Sequence, residues 1–119
     1  MVRLTPFLTT LCQLKIFHWQ TTSYAEHQAL GDAYKKLDAL FDEFVEIYYG
    51  KHGRPTDAPE YTFKAEIYSG DIKETISGFR DQMIAELNSL LGENNGDLKN
   101  IKDEIESEFN RLLYLLSLN

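Results

Sequence analysis

The chain has 119 residues, 43% of them hydrophobic and 26% charged, with a net charge of −7 at pH 7. That is one soluble globular domain, residues 1–119, with enough chain to bury roughly two thirds of its unfolded surface. The acid excess, without a basic arm or patch, argues against nucleic acid or an anionic membrane as partner, and the single cysteine excludes an internal disulfide and fits a reducing compartment.

The first residues, MVRLTPFLTTL, lack the long apolar core and small-residue cleavage site of a signal peptide. No apolar run approaches the ~20 residues that span a membrane. A cytoplasmic protein is therefore expected. Thr5 before Pro6 reads as a helix cap followed by the residue favoured in the first helical position. From there Phe7, Leu11, Leu14 and His18 step by three and four along one side, so His18 continues an apolar stripe. Cys12 reads as a small buried hydrophobe.

The segment QTTS breaks the pattern, and Ser23 with Glu26 forms a capping-box signal that starts a second helix at about Tyr24. Its stripe is His27, Leu30, Tyr34, Leu37, Phe41, Phe44 and Tyr48, and it ends near Gly50, Gly53 and Pro55, which leaves His52 in a loop. Residues 51–70 read as a long loop with a short helical turn around EYTFKAEIY. Asp71 and Glu74 make another capping box, and the helix that follows runs to Gly92. After the turn ENNG, the last helix carries Leu98, Ile101, Ile105, Phe109 (or Leu112) and Leu116 on one side. Four amphipathic helices without a strand candidate predict an all-α, four-helix bundle.

The candidate chemistry lies in FHWQTTSYAEH and the helix after it. Asp42 and Glu46 follow His27 by 15 (42 − 27) and 19 (46 − 27) residues, which at ~100° per residue places all three on one broad face. At ~1.5 Å per residue, Asp42 still lies roughly 22 Å along the axis from His27. One helix cannot bring these groups to a common ion, whereas an antiparallel copy across a two-fold axis can. Taken singly, each residue has a structural reading. His18 is a hydrogen-bonded core histidine, Asp42 and Glu46 are a solvated helix face, Asp38 is a surface or interface acid, and Trp19 is a packing residue.

Together, His18-Trp19, His27 and the Asp42-x-x-x-Glu46 pair resemble the signature of Dps, the small dodecameric branch of the ferritin-like superfamily. The aromatic-rich last helix is also similar. The resemblance implies a ferritin-like bundle, self-assembly as a two-fold dimer and a dodecameric shell, and Fe(II) held between subunits by His18, His27, Asp42 and Glu46. Asp38 would offer an extra oxygen, Mn or Zn would compete for the site, and Trp19 would intercept radicals. Peroxide or oxygen would oxidise the iron, which would be stored in the shell. Three departures stand against it. Gly31 occupies the position of a family aspartate, the segment between the histidines is short, and no Lys/Arg-rich tail is present for DNA. A second expectation is therefore a ferritin-like structural or binding protein without turnover, of a kind also found in phages. A third is a metal-free interaction module using Tyr48, Tyr49, Tyr61 and Tyr68. No nucleophile on a strained turn and no Gly-rich phosphate loop is evident.

Overall fold

A computed structural model describes residues 4–54, 62–67, 70–92 and 95–118. The described residues form four helices and no strand: α1 (Thr5–Gln20), α2 (Tyr24–His52), α3 (Ile72–Leu91) and α4 (Gly96–Leu116). The all-α four-helix bundle expected from the periodicities is the observed architecture.

Local chemistry explains most boundaries. Ser23 caps α2 by accepting from the Glu26 amide at 3.3 Å. The reciprocal half of this capping box is relayed: the Ser23 amide donates to Thr21 Oγ1 at 3.1 Å, and that hydroxyl donates to Glu26 Oε2 at 2.7 Å. Asp71 caps α3 through the amides of Lys73 and Glu74. Two expected boundaries are corrected. Thr5 is the first helical residue of α1 rather than its cap, which is Leu4 without a side-chain bond. α2 continues through Gly50 to His52, because only Gly53 takes up the positive φ (82°) that ends the helix. His52 is thus an exposed helical residue, its ring 4.5 Å from that of Tyr48. Of the helical turn expected around EYTFKAEIY, residues 62–67 have no regular secondary structure, and Glu60, Tyr61 and Tyr68 lie outside the described residues.

The helices touch as a ring, α1 against α2, α2 against α4, α4 against α3, and α3 against α1. Lys51, near the end of α2, reaches Asn95 and Asp97 at the start of α4, so these two helices are antiparallel. Arg80 of α3 donates to Asn110 of α4, consistent with a second antiparallel pair. α1 and α2 form a hairpin, as do α3 and α4. The end of α2 and the start of α3 consequently lie at opposite ends of the bundle. Bundles with such a crossover serve unrelated functions, so the topology identifies none.

The core fills the ring. Leu14, Phe17, Leu30, Leu37, Phe44, Ile76, Leu87, Leu98, Ile105 and Phe109 have no measurable exposure. Each such side chain contributes roughly 1.5–3 kcal/mol by leaving water. Phe7 of α1 stacks on Phe41 (centroids 5.0 Å apart) and meets Phe44 edge-on at 6.2 Å, which sets the packing of the first hairpin. No described helix is long and apolar enough to cross a membrane.

Candidate functional site

The end of α1 and the start of α2 are joined through their two histidines. α1 stops at Gln20, which leaves the carbonyls of its last turn without helical donors. The Thr21 amide serves Phe17, at 3.1 Å. His18 is served by His27, whose Nδ1 lies 2.7 Å from the His18 carbonyl. Reciprocally, His18 Nδ1 lies 2.7 Å from the His27 carbonyl. A carbonyl only accepts, so each Nδ1 carries a proton and donates it. The two rings stack face to face, with centroids 3.8 Å apart and planes 13° from parallel. The pair is a symmetric staple across the turn, and both imidazoles are half-buried.

Gly31 makes the staple possible. A Cβ built on Gly31 would stand 2.8 Å from His18 Cε1 and 3.0 Å from His18 Nδ1, inside van der Waals contact. The glycine is therefore the floor on which the His18 ring lies. An aspartate at this position would need the space that the imidazole fills, so Gly31 is a packing requirement here rather than a lost ligand.

His27, Asp42 and Glu46 all lie on α2, as the spacing predicted, and nothing in the single chain closes the distance between them. Asp38, Asp42 and Glu46 are exposed. Among the described residues, no three His, Cys, Asp or Glu side chains gather into a group able to hold a metal ion. Asp38 and Asp42 instead border an open groove of about 170 Å³ between α1 and α2, floored by Phe7 and Phe41 and walled by Leu4, Leu8, Leu11 and Val45.

Trp19 is not the packing residue expected of it, since 68% of it is exposed. Its indole points away from the core side of α1, where Leu14 and Phe17 lie. Lys15 Nζ sits 5.7 Å from the indole centroid and 4.5 Å from that of Tyr34. Beside Trp19 an open groove of about 620 Å³ is lined by Ile16, Gln20, Ala65, Glu66 and Ile67, the last 80% exposed. Cys12 is half-buried rather than fully buried. Of the tyrosines considered for an interaction surface, Tyr48 and Tyr49 are half-buried in α2, and Tyr61 and Tyr68 lie outside the described residues.

One residue escaped the sequence reading. Gln13, 6% exposed, donates to the Glu66 carbonyl at 2.6 Å and accepts from the Glu66 amide at 3.0 Å, pinning the crossover to α1 as a neighbouring strand would. The signal was available. Thr10, Gln13, Leu14 and Phe17 form one helical face, and a glutamine among apolar neighbours must find partners. At the far end of the bundle, the Lys51 ammonium donates to Asp97 at 2.7 Å and holds that carboxyl below its ordinary range, and Lys99 does the same for Asp103.

The profile of a family of unknown function, DUF5856, matches residues 18–116. The chain is 33% identical over 101 residues to the "Uncharacterized 14.6 kDa protein in mobD-ri intergenic region" of Enterobacteria phage T4, which covers 85% of this chain and 74% of that protein. No solved structure matches the chain. These findings overturn the Dps and ferritin-like assignment, and with it the iron-binding, ferroxidase and iron-storage expectations that rested on it. The physical reason is that imidazoles and carboxylates at helical spacing mark a shared face and not a shared ion. Here His18 and His27 are committed to the α1–α2 turn, while Asp42 and Glu46 face solvent farther along α2. On the extent of both matches, the chain belongs to the family of unknown function DUF5856.

Proposed function

We propose that this protein is a phage-encoded helical binding module that docks another protein through the patch around Trp19. The observation that carries this reading is the exposure of that tryptophan next to Ile67, above a groove whose wall includes Ile16 and Ala65. Folding alone gives no reason to leave an indole in water, and exposed aromatic side chains beside apolar grooves are the usual anchors of protein interfaces. Gln13 supports the reading, because it fixes the Ala65–Ile67 wall against α1 before any partner arrives, which lowers the ordering cost of binding. The phage relative supports the setting.

The test is cross-linking mass spectrometry in cells producing the protein, using the Lys15 amine beside the indole as the reactive group. The expected result is a defined partner joined to Lys15 in the wild type and lost in Trp19→Asp/Ile67→Asp, at unchanged thermal stability. Cross-links that survive this double variant, or their absence at Lys15 in the wild type, would overturn the proposal.

A further inference from the structure

We infer that the groove between α1 and α2 is a second docking surface and that its occupant is a basic amphipathic helix. This inference stands apart from the Trp19 patch and uses different residues. Leu4, the cap of α1, and Leu8 and Leu11 within it repeat at i, i+4 and i+7, and Asp38, Asp42 and Val45 repeat at the same intervals along α2. Two such ridges bound a channel into which a third helix can lay a ridge of its own.

The floor is apolar and continuous with the core. Phe7 and Phe41, 3% and 2% exposed, are the stacked pair that holds the hairpin together. The open space above them, about 170 Å³, matches one large apolar side chain, since a cavity of roughly 150 Å³ accepts benzene.

Charge selects the occupant. Asp38 and Asp42 are exposed and make no ion pair among the described residues, although α1 and α2 carry Lys15, Lys35, Lys36 and Lys51. They stand one turn apart, about 6 Å along α2. A partner helix with Lys or Arg at i and i+4 presents cations at the same interval, flanking a Leu or Phe that enters the groove. A second copy of this chain fits less well. In an isologous contact the same surface meets itself, and this lining offers Asp38 and Asp42 no cation, within a protein already at −7.

The experiment is fluorescence anisotropy with two synthetic helical peptides of about 20 residues, beyond the ~12–15 at which an isolated helix is marginal. Both carry Leu at i, i+4 and i+7. One has Lys flanking this ridge, and the other has Glu at the same positions. The Lys peptide is expected to bind in the micromolar range, more weakly as salt rises, and the Glu peptide not to bind. Asp38→Lys/Asp42→Lys should weaken the Lys peptide by about tenfold or more and gain affinity for the Glu peptide. Asp81→Lys/Glu104→Lys, an equal change of net charge on α3 and α4, should leave the preference intact. Such a reversal in the groove variant cannot arise from misfolding.

Equal binding of both peptides, binding of neither, or an equal loss in the α3–α4 variant would overturn the inference. So would a concentration-dependent dimer, seen by sedimentation, that Leu8→Asp dissociates and the Lys peptide does not. None of these results bears on cross-links at Lys15, so failure here and failure of the Trp19 reading are separable.

Discussion

Replacing Gly31 by alanine tests the His18–His27 staple against the simplest rule for helices. Gly31 lies inside α2, where the exchange is ordinarily stabilising by ~0.5–1 kcal/mol, because alanine has less backbone freedom to lose. At this site the new methyl would stand 2.8 Å from His18 Cε1. That ring cannot swing away freely, since it is stacked on His27 and its Nδ1 donates to the His27 carbonyl. Overpacking of this kind costs about 1–3 kcal/mol, and loosening the hydrogen bond costs about 1 more. After the helical gain is subtracted, the net is a loss of about 1–3.5 kcal/mol, or roughly 4–14 °C in Tm for a chain of this size. Gly78→Ala in α3 is the control, because a Cβ there meets nothing within 4 Å. Thermal unfolding followed by circular dichroism should show the two variants moving Tm in opposite directions, Gly78→Ala upward by roughly 2–4 °C. In a His18→Ala background, Gly31→Ala should become stabilising, because the ring that obstructs it is gone. The reasoning is refuted if Gly31→Ala raises Tm as much as Gly78→Ala does, or if the loss persists without His18.

The remaining predictions concern other contacts. His18→Ala and His27→Ala should be non-additive, with a coupling of about 0.5–1.5 kcal/mol in denaturant unfolding, since either removal breaks the ring stack while the other histidine keeps a backbone carbonyl to donate to; simple additivity would mean that the staple carries no joint energy. Gln13→Ala should leave the Glu66 amide and carbonyl without their partner and cost about 1–3 kcal/mol. Hydrogen exchange at Glu66 would show it as faster exchange confined to the crossover, and unchanged protection there would refute the pinning. Asp97 titrates below its ordinary value of 3.8 because Lys51 hydrogen-bonds its ionised form. Its contribution is therefore present above the unfolded value and lost as pH falls through the lower folded value. The stability difference between wild type and Lys51→Met should consequently be largest at neutral pH and shrink as pH falls below the ordinary carboxylate range; a difference constant with pH would place the effect elsewhere.

Two elements show how much could be read in advance. α4 was legible throughout, because Leu98, Ile101, Ile105, Phe109, Leu112 and Leu116 are all buried where their period places them. The histidine region was legible only in part. The sequence puts His18 on the α1 stripe and His27 on the α2 stripe with the turn between them, but periodicity does not say what the two rings meet there. They meet each other, as a ring stack with backbone acceptors.

What the sequence by itself determined is what depends on a few neighbouring residues: the Ser23 and Asp71 caps, the stop at Gly92, and the angular position of each side chain about its own helix. Those features are encoded within one or two turns, where backbone donors and apolar period act without the rest of the chain. The tertiary structure decided what fills the space beside each residue. It set the His18 ring on Gly31, joined Gln13 to Glu66 across 53 positions, and left the Trp19 indole in solvent. Helical periodicity gives a direction but not the neighbour found in that direction. That neighbour is chosen by how four helices and a crossover share one core.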